Sequence, residues 1–342
     1  MKKRILTGIT TTGTPHIGNY LGAIKPALKL AENYDESYYF LADYHAIIKN
    51  SDNKEVSESV KNVALAWLAS GLDVNKSFFY RQSDIPEILE LSWILNCVTA
   101  KGLMNRSHAY KAAINNNKGD EDKGITMGLF SYPILMAADI LMFNATHVPV
   151  GADQIQHLEM TRDIAARFNH IYKKTFELPE AIIQSKKNTV PGTDGQKMSK
   201  SYGNIIPLLS TEKQLKKAIA KVVTNSLEPG EPKDSSNCTV FKLYKYFASD
   251  EMIKEFENDY KDGIGWGDAK NKLFNVVNNE MTPVREKYDS LVNDKSLLND
   301  LLNDGSKKVR PIAQEMLSSI RDSIGIKKIC LLYTSPSPRD RG

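Results

Sequence analysis

Arg4-Ile5-Leu6-Thr7-Gly8-Ile9-Thr10-Thr11-Thr12-Gly13-Thr14-Pro15-His16-Ile17-Gly18-Asn19-Tyr20 stands near the start of the chain and sets how the rest is read. Residues 4–7 have the character of a short buried strand. A loop rich in Thr and Gly follows, and then Ile17, Leu21, Ile24 and Leu28 recur at helical spacing. Pro26 lacks a backbone donor and should kink or end that helix. Strand, loop and helix in this order present backbone N–H groups to a phosphate. In that loop Gly18 would let a flat adenine approach the backbone, and His16 could donate to a phosphate oxygen. A Thr-rich turn with a surface histidine is the plainer alternative.

The same alternation continues downstream. Tyr38–Ala42 and Ser77–Tyr80 read as strands, and Val148-Pro149-Val150 as a strand end. Val56, Val60, Val63, Trp67 and Leu68 mark an amphipathic helix closed by Gly71. Further helices are expected around 86–97, from about Pro133 to Phe143, and over roughly 154–168. Strands alternating with helices predict an α/β fold with a mostly parallel sheet. Residues 115–124 read as a polar loop, and residues 186–204 as a long loop with Pro, Gly, Lys and Ser. After about residue 210 strand-like runs stop. Leu291, Leu297, Leu298, Leu301 and Leu302, then Val309, Ile312, Met316 and Ile320, mark helices. The expected division is a nucleotide-binding domain over 1–204 and a mainly helical domain over 205–328. The last residues, 329–342, carry two Ser-Pro steps that oppose a helix, and they are expected to be a non-native, disordered tail.

The 342 residues are 41% hydrophobic and 25% charged, ordinary for a globular protein with room for a deep pocket. A net charge of +4 is too small to indicate nucleic acid by itself. Cys97, Cys238 and Cys330 are far apart, so neither a disulfide framework nor a zinc site is read from them. The basic start lacks the apolar run of a signal peptide, and no stretch is long enough to span a bilayer. The cytoplasm is the expected compartment.

Two further motifs carry chemistry. Lys197-Met198-Ser199-Lys200-Ser201, in the long loop, suits a mobile clamp on a polyphosphate, because a lysine ammonium tolerates a moving target. A solvated charge run is the alternative. Gly151-Ala152-Asp153-Gln154 lies at a strand end opening a helix, where open α/β sheets bind ligands. Asp153 could accept from a ribose hydroxyl, or could simply cap the helix.

His16-Ile17-Gly18-Asn19 followed by Lys197–Ser201, in that order, resembles the signatures of class I aminoacyl-tRNA synthetases. Asn19 stands where many members have a second histidine. Gly18–Ala23, Asp43-Tyr44-His45-Ala46, Tyr132–Leu141, Val148–Gln154 and Gln156–Asp163 extend the resemblance to the bacterial tryptophanyl branch over most of residues 4–325. Some members have Gln where Thr10 stands. The resemblance implies a Rossmann-like catalytic domain, a helical C-terminal domain that contacts the anticodon of tRNA(Trp), and a homodimer. It implies L-tryptophan, ATP and Mg²⁺ as ligands. Thr10, Thr11, Thr12, Gly18 and Asn19 would line the ATP site with His16 beside the phosphates. Gly151, Ala152 and Asp153 would hold the ribose, and Val190 the adenine. Lys197, Met198, Ser199, Lys200 and Ser201 would follow the pyrophosphate, with Lys197 and Lys200 joining His16 as catalytic groups. Tyr132 and Gln154 would bind the amino group of the amino acid, and His45 would wall the pocket.

Asp139 is the ionisable residue of the apolar run Pro133–Phe143. A carboxylate there is costly unless something satisfies it. It could face solvent or a partner arginine, or it could accept a hydrogen bond from a ligand donor such as an indole N–H. The family's indole-binding acid falls on Asp139. Met136, one turn earlier, can pack on an aromatic ring. Tyrosyl relatives usually have Gln at that position, which argues against tyrosine. A small-molecule nucleotidylyltransferase, which can share the first motif, and a non-catalytic tRNA-binding or regulatory paralogue are the other readings; the intact Lys197–Ser201 loop and the C-terminal helices count against the former, and the retention of His16, Lys197 and Lys200 against the latter.

Overall fold

A computed structural model describes residues 2–48, 50–117, 123–151, 154–183, 190–294 and 296–326. Within them five strands form one parallel sheet: β1 (Arg4–Thr10), β2 (Glu36–Ala42), β3 (Phe78–Arg81), β4 (His147–Val150) and β5 (Glu180–Ile183), in the order β3-β2-β1-β4-β5. The order reverses between β1 and β4, so the strand ends diverge there and open a crevice at the carboxyl edge of the sheet.

Both faces of the sheet are covered. On β2, Tyr39 and Leu41 join one buried cluster while Tyr38, Phe40 and Ala42 join the other; on β3, Phe79 and Tyr80 divide in the same way. Strands buried on two sides read as continuous apolar runs. The first cluster takes in the helical run from Ile17, the helix Asn53–Ala69 and much of the chain after residue 205. The second takes in the helices Glu87–Val98, Met127–Leu141 and Ile155–Ile171.

The final helix, Leu297–Ile324, joins the two. Its Leu302 lies in the first cluster, whereas Val309, Ala313, Leu317 and Ile320 lie in the second. It therefore crosses the edge of the sheet beside β3, covering backbone that would otherwise be open to pairing. Gly305 marks the crossing, since a Cβ there would stand 1.7 Å from the Phe79 carbonyl oxygen. The helices after residue 205 thus share the sheet's two cores among the described residues. The expected tail at 329–342 lies outside the described residues.

Three local expectations are corrected. Of the two outcomes expected at Pro26, a kink or an end, the end does not occur. The helix runs as Ile17–Asn19, a wider π turn at Tyr20–Ile24, and Lys25–Ala31. The Lys25 N–H bonds to Tyr20 O across the π turn, and Pro26 follows in the first turn of the last segment, where a missing donor does little harm. The apolar helix starts at Met127, capped by the Thr126 hydroxyl, and holds Pro133 inside it. Residues 115 and 116 of the expected polar loop close a helix, His108–Asn116; neither that helix nor the strand β5 is announced by the pattern.

Candidate active site

The carboxyl ends of β1, β2 and β3 deliver the polar residues of the crevice. Asp43 and His45 follow β2 directly, and Gln82 follows β3. The Thr11 hydroxyl reaches Ala42 O at 3.5 Å, tying the end of β1 to that of β2.

Asp139 is 1% exposed, on the inner face of Met127–Leu141. Its carboxylate accepts from Gln82 Nε2 at 2.8 and 3.0 Å, and Oδ2 pairs with His45 Nε2 at 2.9 Å. The expected solvent or arginine partner is replaced by a histidine and an amide. Burial pushes the carboxyl above the ordinary carboxylate range, against the opposing pull of His45 and Gln82. Gln82 is itself fixed, because its Oε1 accepts from the Tyr44 N–H at 3.1 Å. Asp43 beside it accepts from Tyr44 N at 3.1 Å, from Ser83 N at 3.0 Å and from the Ser83 hydroxyl.

Tyr132, Met136 and Asp139 share one helix face at helical spacing. The His45 ring lies edge-on to Tyr132, with centroids 6.3 Å apart. The Tyr132 hydroxyl meets His157 Nε2 at 2.6 Å, and His157 Nδ1 meets Gln154 Oε1 at 2.9 Å. Two hydrogen-bonded groups, Asp139 with His45 and Tyr132 with His157 and Gln154, thus stand side by side, joined by the edge contact of the His45 and Tyr132 rings. Met136 is half-buried against the second cluster. The sequence reading assigned no role to Gln82 or His157. A run of polar residues, Arg81 to Asp84, after the apolar Phe78-Phe79-Tyr80 was the available signal for Gln82.

The His16–Asn19 and Lys197–Ser201 motifs meet at the start of the first helical run. His16 caps the first helical turn: its N–H donates to Asn19 Oδ1 at 3.0 Å, and its Nδ1 accepts from the Asn19 N–H at 3.3 Å. Asn19 therefore closes a reciprocal cap. With Nδ1 accepting, Nε2 carries the ring proton. His16 is 8% exposed; burial, with the Lys200 charge nearby, lowers its pKa to about 4, so the imidazole is neutral near pH 7.

Lys200 Nζ donates to Thr12 O at 2.7 Å and stands 2.6 Å from where a Cβ on Gly13 would lie. Gly13, at φ 55°, donates its N–H to Ser59 Oγ at 2.8 Å. Gly18 donates to Met198 Sδ at 3.3 Å, and a Cβ there would meet His16 Nδ1 at 2.9 Å and Met198 Cβ at 3.3 Å. That glycine lets the two motifs touch, a need the sequence reading did not foresee. Pairing continues beyond the lysines, with Ile17 N to Ile206 O at 2.9 Å and Leu208 N to Pro15 O at 3.2 Å.

The Lys197–Ser201 loop is pinned by buried Asn204, whose Oδ1 accepts from Ser199 N at 2.8 Å while Nδ2 donates to Lys197 O at 3.0 Å. Ser199 and Ser201 hydroxyls meet at 2.8 Å. Lys197 is exposed. Val190 is buried, with its carbonyl accepting from Met198 N at 2.9 Å. Thr10 ends β1 and is exposed. Gly151 is half-buried at the end of β4, and its carbonyl accepts from Gln154 N at 2.9 Å. Ala152 and Asp153 lie outside the described residues. No group of three or more His, Cys, Asp or Glu able to hold a metal occurs among the described residues.

A family model described as tRNA synthetases class I (W and Y) matches residues 1–282. Tryptophan--tRNA ligases of Pseudomonas aeruginosa and Neisseria meningitidis are each 52% identical over 96% of this chain, covering 75% and 99% of their own lengths. The crystal structure of tryptophanyl-tRNA synthetase from Campylobacter jejuni complexed with ADP and tryptophan matches with a TM-score of 0.86 at 44% identity, covering 94% of this chain and 99% of that one.

Proposed function

Since the chain belongs to the class I tRNA synthetases for tryptophan and tyrosine, we infer that it is a tryptophan--tRNA ligase, which activates L-tryptophan with ATP and transfers it to tRNA(Trp). The observation that carries tryptophan over tyrosine is the buried Asp139 carboxylate. An indole ring has one N–H donor and no acceptor, so an acceptor-only group suits it. Met136 packs one turn away on the same face. Tyr132 and Gln154 take the amino group, and His45 walls the pocket.

A carboxylate oxygen of tryptophan attacks the α-phosphorus. The P–O bond to the β-phosphate breaks, and pyrophosphate leaves with the electron pair. The nucleophile is already ionised near pH 7, so positioning and charge stabilisation do the catalysis. His16, neutral, donates Nε2–H to a phosphate oxygen. Lys200 exchanges the Thr12 carbonyl for the departing pyrophosphate, and Lys197 assists from the same loop. Thr10, Thr11, Thr12, Gly18, Asn19, Val190, Met198, Ser199 and Ser201 line the nucleotide, and Gly151, Ala152 and Asp153 hold its ribose. Mg²⁺ would accompany ATP as part of the substrate and would supply positive charge against the phosphates, without a dedicated cage of protein ligands among the described residues. A ribose hydroxyl of the tRNA terminus then attacks the adenylate carbonyl, releasing AMP.

The helices over 205–328 would contact the anticodon while residues 1–204 carry the chemistry. No helix among the described residues is long and apolar enough to cross a membrane; the cytoplasm is the proposed compartment. A symmetric homodimer is also proposed. It is supported by the outer face of Glu87–Val98, which exposes Leu89 (42%), Trp93 (71%) and Cys97 at successive turns. Pyrophosphate exchange into ATP, measured with each of the twenty amino acids, tests the reading. Exchange should depend on tryptophan, and equal exchange with tyrosine would refute it.

A further inference from the structure

The helix Trp266–Asn293 lies beyond the strand–helix alternation, yet it holds the chain that follows each of the two motifs. Glu280 Oε1 accepts from the Tyr20 hydroxyl at 2.6 Å and from Lys25 Nζ at 2.7 Å. Tyr20 is 6% exposed, sits one helical turn after His16, and starts the π turn. Burial would raise the Glu280 carboxyl, but its bonds from Lys25 and Tyr20 bring it below the ordinary range, so the acceptor is ionised. Further along the same helix, Arg285 Nε donates to Ser210 O at 3.0 Å, and its Nη2 to Asn278 Oδ1 at 2.7 Å. Ser210 closely follows the segment that pairs with Pro15 and Ile17. One helix thus holds the run that follows His16 and the chain that follows Lys200.

The core contacts of Ile17, Leu21 and Ile24 set how deeply the His16 run sits, but apolar packing is non-directional. The Tyr20–Glu280 bond is directional. One turn of helix spans about 5.4 Å, so an anchor at Tyr20 sets the rotation of the turn that His16 caps.

We propose that Glu280 is a positioning residue for the His16 imidazole, acting through Tyr20, with Arg285 holding the segment that follows Lys200. The proposal rests on the nucleotide-site reading above. Steady-state exchange kinetics on the full chain separate the two. If the wild type shows no tryptophan-dependent exchange, the reading of the site fails. If it does, Glu280→Ala and Tyr20→Phe test the proposal. Both should lower kcat/KM for ATP by about tenfold or more, equivalent to about 1.4 kcal/mol, with the KM for tryptophan within about twofold of wild type. Glu280→Gln keeps an acceptor oxygen for Tyr20 and gives up an ion pair whose lysine is 47% exposed and contributes little, so it should restore most of the loss. Unchanged ATP kinetics in Glu280→Ala and Tyr20→Phe overturn the proposal. So does a parallel rise in both KM values that Glu280→Gln fails to reverse, which marks Glu280 as a general support of the fold.

Discussion

Replacing Asp139 by asparagine changes one atom of the side chain and leaves its volume intact. The carboxylate accepts from Gln82 Nε2 at 2.8 and 3.0 Å and pairs with His45 Nε2 at 2.9 Å. A carboxamide keeps one acceptor oxygen and puts two donors where the other stood. Gln82 Nε2 is close to both positions, so whichever way the new amide turned, one donor would face another. The bound indole loses a hydrogen bond to a charged acceptor, about 1.5–3 kcal/mol. That corresponds to a fall of about 10- to 150-fold in kcat/KM for tryptophan. Steady-state exchange measures it, with the KM for ATP as the internal control. The pH profile adds a second readout. Burial raises the Asp139 pKa, so the folded protein takes up this proton at a pH where the unfolded chain, at 3.8, has not. Tryptophan kcat/KM should therefore fall on acidification above the ordinary carboxylate range, and Asp139→Asn should lack that limb. The ionised carboxylate costs stability, and that cost is relieved as pH falls through the same window. A variant within about threefold of wild type for tryptophan, with an unaltered acid limb, would refute the reasoning.

Other outcomes follow from the same geometry. Lys200→Ala removes the ammonium at Thr12 O and should lower the exchange rate by about 10²–10³, with tryptophan binding by calorimetry retained. The His16 imidazole should titrate near pH 4 by NMR rather than near 6.5. Between those values the unfolded chain binds more protons, so this group's contribution to stability is present above about pH 6.5 and is lost as pH falls toward 4. Gly305→Ala places a Cβ 1.7 Å from Phe79 O and forces the last helix off β3. A loss of about 1–3 kcal/mol or more is expected in urea melts, with a raised KM for tryptophan because Gln82 follows β3.

Much of the fold was legible because β1, β2 and β3 each carry adjacent buried apolar residues and strongly periodic helices separate them. β5 was not: Glu180–Ile183 is four residues long with Ile183 exposed, too short for a period to register. The last helical stripe was visible, but its passage from one face of the sheet to the other was not. Gly305 was the available clue, since a mid-helix glycine costs about 1 kcal/mol and needs a reason. In the site, Asp139 stood out because one carboxylate in an apolar helix demands partners. Which partners could not be read, since His45 and Gln82 arrive from beyond the ends of β2 and β3. The touching of the two nucleotide motifs at Gly18 and Met198 joins residues far apart in the chain, which no local pattern encodes.

A crystal structure of the protein with tryptophan and a non-hydrolysable ATP analogue would be the most direct test. The indole nitrogen should lie about 3 Å from an Asp139 carboxylate oxygen, inside the wall formed by His45, Tyr132 and Met136. An indole nitrogen directed to any other acceptor, with Asp139 engaged only by Gln82 and His45, would contradict the account.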